Sequence, residues 1–397
     1  MAGIADLHGM EQDIVAAALR AVYKDAGVRS QDVNLFARTK PIRPKARLAL
    51  ANTVRTLPTE QASVYVFADL DPLSNWGHAA RHLFFGAKNG ELMHSESSQF
   101  PAQEFMGEPE AFAPLHVPKV YSAPVTPPIF LEKNVPSEVR PSKKSDRRHA
   151  ILFSGNSNNR HLNDLEFLFR VLCDLYGYKE ENIYVLNYDG TLNYDGSPKP
   201  VAKWPGDQTP YRIKPRIVGA GNQAEFDKVF GAVAKKLKSK DTLLIHTNNH
   251  GGDASSYGEP WLCGYPNFAL VYKASDFGQR LAHLPKCRSL VVSMEQCYSG
   301  GFMNPTLAHS KAAVTSFAAA VPANQSSMGG PEFDPWALDW IAAFHGSYPG
   351  GLPLKHPVAA KPSTRQAFDY SSTVHVPGDN PVFQDSPSGS GATQSIE

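Results

Sequence analysis

The chain has 397 residues, 42% of them apolar, and a formal net charge of +1, which suffices to fill a core in one large domain or two ordinary ones. Balanced charge argues against a nucleic-acid or membrane-surface protein, and no run approaches the roughly 20 apolar residues of a transmembrane helix. Cys173, Cys263, Cys287 and Cys297 are too scattered for a disulfide framework and form no CxxC pair, so neither a stapled fold nor a zinc site is expected.

The opening residues show no basic segment followed by an apolar one, so the expected compartment is cytoplasmic. Residues 10–26 carry helical apolar spacing (Ile14, Ala17, Ala18, Ala21, Val22) and stop at Gly27. Residues 62–68 read as a strand, and 81–86 with 91–94 as a hairpin around Asn89-Gly90. His78, His82, His94 and Glu96 fit no zinc spacing and read as a polar hairpin surface. The composition therefore predicts an N-terminal α+β region over 1–106, with a regulatory role as the expectation. A Pro-rich linker is expected over 107–148.

From 149 onward strands and helices alternate. Strands are predicted at 149–156, 181–187, 241–247, 288–294 and 311–319. Helices are predicted at 162–178, 222–238, 274–283 and 333–345. This order implies an α/β domain over 149–375, a mostly parallel sheet covered on both faces, with a flexible Ser/Gly-rich tail over 376–397. In such sheets chemistry gathers at the carboxyl ends of the strands. The run TLLIHTNNHGGD places His250 just beyond one strand, and SLVVSMEQCYSGGF places Cys297 just beyond the next. A right-handed crossover makes the two strands near neighbours. A thiol beside an imidazole is the minimum for thiolate catalysis, and the backbone amides of Gly251 and Cys297 are candidates for an oxyanion hole. Taken singly, Cys297 and His250 read as a buried cysteine and a loop histidine; together, at glycine-flanked strand ends, they read as a site.

The pattern of strand, His-Gly, helix, strand and Glu-x-Cys resembles legumain, the asparaginyl endopeptidase. It is similar also to the catalytic subunit of GPI transamidase and, more distantly, to caspases. The resemblance covers about 149–346. It includes an Asn-x-Arg-His motif after the first strand, matched here by Asn158, Arg160 and His161, with Asn156 and Asn159 as neighbouring alternatives for the asparagine. The resemblance implies a caspase–haemoglobinase-like fold and Asn158 as a third catalytic residue orienting His250. It also implies a specificity pocket of Arg160, His161, Glu295, Ser326 and Asp334. Such a pocket offers both a donor and acceptors to a carboxamide, which suits Asn, and protonated carboxylates would admit Asp at low pH. A structural ion pair is the alternative for Arg160 and Asp334.

Legumain carries Asp where this chain has Asn249, which bears on ligase chemistry. The family's C-terminal helical pro-domain has no counterpart in the residues after the last core helix, and the extra material here is N-terminal. The resemblance is therefore to a bacterial-type intracellular member. The expected function is a cysteine endopeptidase cutting after Asn through a thioester, with no cofactor or metal and with a peptide or protein substrate. A transamidase or ligase using the same acyl-enzyme and a catalytically silent scaffold are the alternatives. Oligomeric state has no signature in the sequence.

Overall fold

The computed structural model describes residues 10–50, 53–70, 72, 79–98, 111–118, 141–194, 203–266, 271–330, 332–374 and 379–397. The chain divides into two compact units, Met1–Ser122 and Ala123–Glu397.

In the first unit, α1 (Glu11–Ala26) buries the stripe predicted by its periodicity, with Ile14 and Ala18 fully buried. It ends where Gly27 turns left-handed at φ 68° and donates its N–H to the Tyr23 carbonyl. The strands β1 (Asn34–Arg38), β2 (Arg47–Leu50), β3 (Thr53–Thr56), β4 (Ser63–Asp69), β5 (Ala80–Gly86), β6 (Leu92–Ser98) and β7 (Phe112–His116) follow. Five of them form an antiparallel sheet in the order β6-β5-β4-β1-β7, and β2 pairs with β3. The stripe of α1 packs with Leu35, Val64, Val66, Leu83 and Phe85, and a second cluster holds Tyr65, Phe67, Phe84 and Phe112. The alternation of these residues along β4 and β5 is the period-2 rule of a sheet buried on both sides. His82 lies inside this unit between the Tyr65 hydroxyl (2.8 Å) and the Ser98 hydroxyl (2.7 Å). It is therefore a core residue rather than the polar surface expected of it, and His78 lies outside the described residues.

The expected linker over 107–148 is corrected at both ends. Residues 112–116 are a strand paired to β1, so the N-terminal region runs past 106, and Arg148 already belongs to the next unit's first strand. Prolines hid β7, because Pro114 sits on an edge strand, where a missing N–H is tolerated.

The second unit is built on a sheet ordered β10-β9-β8-β11-β15-β16-β17. Its members are β8 (Arg148–Ser154), β9 (Ile183–Asn187), β10 (Ile217–Gly219), β11 (Thr242–Thr247), β15 (Ser289–Met294), β16 (Val314–Ala319) and β17 (Val382–Ser386). All neighbours pair in parallel except β16 with β17. The short strands β12 (Gly251–Gly252), β13 (Trp261–Leu262) and β14 (Tyr272–Lys273) form a separate small sheet. On one face α2 (Asn159–Asp174) packs a core with residues 335–345 and 364–374. On the other, α3 (Gln223–Lys236) packs with residues 274–282 and 303–309. In chain order these remaining helices, after the one-turn α4 (Ala254–Tyr257), are α5 (Ala274–Ala282), α6 (Met303–His309), α7 (Pro335–His345) and α8 (Thr364–Val374). Among the described residues no helix is long and apolar enough to cross a membrane.

The expected flexible tail is a further correction. β17 closes the sheet edge against β16, Phe383 packs on Phe368 at 5.1 Å between ring centroids, and Ile396 is fully buried. The Tyr178 hydroxyl donates to the Ile396 carbonyl at 2.5 Å. Ser and Gly dominate the composition here, but a few apolar anchors and buried polar bonds are enough to order the segment.

Candidate active site

Parallel pairing decides where the reactive side chains fall. Thr247 of β11 is in register with Met294 of β15 and with Phe153 of β8. His250 and Cys297 therefore stand the same three residues beyond paired strand ends, and Asn158 leaves the adjacent strand at the same edge. The β15 exit is tied to the β11 exit by the Glu295 N–H to the Thr247 carbonyl at 2.9 Å and by the Thr247 hydroxyl to Gln296 Oε1 at 2.7 Å. After Cys297 the backbone reverses through Tyr298 at φ 61°, whose N–H donates to the Gln325 carbonyl at 2.7 Å.

The first turn of α2 carries much of the site. Asn158 is its N-cap, and the Asn158 N–H donates to His161 Nδ1 at 3.0 Å. Nδ1 therefore bears no proton, and the hydrogen of this imidazole is on Nε2, 3.4 Å from Asp334 Oδ2. Burial pushes His161 well below its usual pKa, with the Arg160 charge acting in the same direction, so the ring is neutral. Asn158 Oδ1 accepts from His250 Nε2 at 2.5 Å. That bond fixes the His250 tautomer and makes Nδ1 the nitrogen able to accept a proton. The His161 ring stands edge-on to His250, with centroids 4.6 Å apart.

Cys297 is fully buried. Its sulfur receives the Ser327 N–H at 3.3 Å and lies 3.7 Å from the Ser327 hydroxyl. Burial pushes the thiol up to about 12 against the lowering effect of the Ser327 and Ser326 hydrogen bonds, so in this state the sulfur is protonated. Gly251 packs on the Cys297 carbonyl, and a Cβ there would come within 2.3 Å of that oxygen. The Cys263 N–H donates to the His250 carbonyl at 2.9 Å, which makes 250 and 263 a hydrogen-bonded pair. The antiparallel alternation then turns the Gly251 N–H off the ladder. Gly251→Ala is expected to destabilise the unit by about 1–3 kcal/mol through overpacking against backbone, and differential scanning calorimetry would measure it. Asn249 donates through Nδ2 to the Cys263 carbonyl, a bond that a carboxylate at this position cannot make.

Of the expected pocket residues, Arg160, His161 and Glu295 meet Asp334 and the first turn of α7. Arg160 Nε lies 2.8 Å from Asp334 Oδ1, with the Arg160 side chain 17% exposed and the Asp334 side chain 0% exposed, so solvent reaches the pair from the guanidinium side. Glu295 is fully buried and accepts the Ala337 N–H at 2.8 Å, one of the free amides of the first turn of α7. Burial raises Glu295 well above its ordinary pKa, and the nearby Asp334, Asp379 and Asp164 carboxylates raise it further. Asp334 is raised to about 6 by burial, with Arg160 pulling the other way. Ser326 is half-buried, its hydroxyl 3.3 Å from the Tyr298 hydroxyl. Sequence reasoning missed Ser327, which meets the sulfur through both its N–H and its hydroxyl; the Ser-Ser pair was visible, but how the two serines meet the sulfur is set by the path of the loop. The loop itself is held by Asp379, which accepts the Met328 N–H at 2.8 Å, and by Asn380, which donates to Gln325 Oε1 at 2.6 Å.

A doubly covered parallel sheet that delivers a histidine and a cysteine from adjacent strand ends, with an asparagine behind the histidine, defines a caspase–haemoglobinase-like α/β domain. Residues 148–330 match the model of the Peptidase C13 family. Over 173 residues the chain is 30% identical to the vacuolar-processing enzyme beta-isozyme of Arabidopsis thaliana, covering 38% of this chain and 34% of that one. It is also 30% identical over 173 residues to the vacuolar-processing enzyme beta-isozyme 1 of Oryza sativa subsp. japonica, covering 38% and 33%. The chain thus spans about a third of the length of the curated relatives it matches. A solved structure from Geobacter sulfurreducens overlaps with a TM-score of 0.41 at 14% identity over 63% of this chain and 97% of that one, too loosely to bear on function. Residues 148–330 are accordingly similar to the Peptidase C13 family and, in part, to the vacuolar-processing enzymes.

Proposed function

We propose that the protein is a cysteine endopeptidase that hydrolyses peptide and protein substrates after Asn, and after Asp at low pH. The observation that carries this reading is the first turn of α2, which brings Asn158 to His250 and Arg160 to Asp334. A carboxamide entering beside Arg160 finds a guanidinium donor for its oxygen and the Glu295 and Asp334 carboxylates for its nitrogen. An ionised Asp side chain would be repelled by those carboxylates until they take up protons, which for Asp334 is centred at about pH 6.

The chemistry follows from the roles. Opening of the 325–328 loop admits substrate, and His250 Nδ1 takes the Cys297 proton as the sulfur adds to the carbonyl carbon. The Gly251 and Cys297 amides receive the developing oxyanion. The C–N bond then breaks, with the proton on His250 passing to the leaving amine. Water, deprotonated by the same imidazole, adds to the thioester and releases the new carboxyl terminus and the thiol. No metal or organic cofactor has a part in these steps. Asn158 keeps the imidazole in the productive tautomer, so Asn158→Ala is expected to lower kcat by about 10–100-fold while leaving KM little changed, as steady-state kinetics would show.

The test is cleavage of fluorogenic peptides differing only in the residue before the scissile bond (Asn, Asp, Arg, Lys, Ala) at pH 5 and 7.5. Cleavage after Asn at both values, joined by Asp at pH 5, supports the reading; preferred cleavage after Arg or Lys would overturn the pocket assignment.

A further inference from the structure

We propose that Asp164 is a positioning residue for both halves of the site: its side chain ties the His250 loop and the start of α7 to α2. This inference deepens the peptidase reading and rests on it. Asp164 lies one turn beyond Arg160 on α2 and is fully buried. Its Oδ2 accepts two bonds, from Asn248 Nδ2 at 2.6 Å and from the Asp334 N–H at 2.9 Å. Asn248 stands two residues before His250, and Asp334 is the N-cap of α7. One oxygen therefore joins the turn that carries Asn158 and Arg160, the strand exit that carries His250, and the helix start that carries the pocket carboxylate.

The charge on Asp164 is not needed for those two bonds, because an amide oxygen would accept both. Its Oδ1 has no hydrogen-bond partner among the described residues. A buried carboxylate with an unused oxygen carries a desolvation cost that an asparagine would avoid. Its charged neighbours are Arg160 from α2, Asp334 from the start of α7 and Glu295 from the exit of β15. Burial raises Asp164 well above the ordinary carboxylate range and the Asp334 carboxylate raises it further, so the site disfavours a charge on Asp164.

Two variants of the full chain separate the roles. Asp164→Asn keeps both bonds and removes the charge; Asp164→Ala removes both. The readouts are kcat/KM for Asn and Asp peptides from pH 4 to 8, the rate of Cys297 alkylation by iodoacetamide across the same range, and thermal melting. Asp164→Ala is expected to lose about tenfold or more in kcat/KM and in alkylation rate, as the His250 loop loses its tether. Asp164→Asn is expected to keep cleavage after Asn at neutral pH. It should also keep the wild-type alkylation rate, because both bonds to the side-chain oxygen survive. A folded Asp164→Ala variant with the wild-type alkylation rate, or an Asp164→Asn variant that loses as much as Asp164→Ala, would reduce Asp164 to a structural residue and overturn the proposal. If Asp164→Ala does not fold, the alkylation rate of Asn248→Ala, which removes the tether to the His250 loop alone, decides. If the wild type cleaves neither peptide, the substrate reading falls, and the alkylation rates of the variants against wild type still decide the positioning role.

Discussion

Cys297→Ala is expected to abolish peptide hydrolysis, lowering kcat by about a thousandfold or more, while the thermal melt moves little. The side chain is fully buried, but only one sulfur is lost, so the cost in stability should be about 1 kcal/mol. The separation of the two readouts matters. Cys263 and Cys287 are also buried, and burial raises both thiols, as it raises Cys297. What distinguishes Cys297 is its place at a carboxyl strand end beside Ser327 and in register with His250. Cys263→Ala should therefore retain activity. Full activity in Cys297→Ala, measured with the Asn peptide, would remove the nucleophile assignment.

Arg160→Ala is expected to cost both specificity and stability. Asp334 is fully buried and pairs with Arg160 at 2.8 Å, so removal of the guanidinium leaves a carboxylate without its counter-charge. Breaking such a pair costs about 3–5 kcal/mol at pH 8. The sign of the pH dependence follows from linkage. Asp334 already sits at about 6 through burial opposed by Arg160, and loss of Arg160 raises it further. A folded carboxylate that holds its proton more tightly than the unfolded one makes the protein more stable as pH falls through the folded value toward about 4. The melting deficit of Arg160→Ala should thus shrink between pH 8 and pH 5. Cleavage after Asn should fall by about a hundredfold, since a donor to the substrate carboxamide is gone. Adding Asp334→Asn to Arg160→Ala should recover much of the stability and none of the specificity, a coupling that a double-mutant cycle measures. Additive losses would show that the pair is not coupled.

Much of this site is written locally in the chain. The apolar runs that end before His250 and Cys297 mark buried parallel strands, and a parallel sheet places all its carboxyl ends at one edge, so the two residues had to share it. The pairing of Asn158, Arg160 and His161 was legible as a motif, although the predicted helix began at 162 and the real one begins at 159, because Asn158 caps it. Three features were not legible. Ser327 reaches the sulfur through a loop whose path depends on Asp379 and Asn380. Asp164 is bonded to a backbone amide 170 residues away, which no local pattern encodes. The closing strand β17 is short and set in a Ser/Gly-rich stretch, so burial of Ile396 and Phe383 against distant residues overrides the local composition. Local pattern therefore marks the candidate site, and long-range side-chain bonds supply its alignment.

The most direct measurement is covalent labelling of the full chain with a peptidyl chloromethyl ketone carrying Asn next to the warhead, followed by intact-mass analysis and peptide mapping. The expected result is one label per chain on Cys297, strongly slowed in His250→Ala and absent with an Arg warhead. A label on Cys173, Cys263 or Cys287, or equal labelling by the Asn and Arg reagents, would contradict the assignment of nucleophile and pocket.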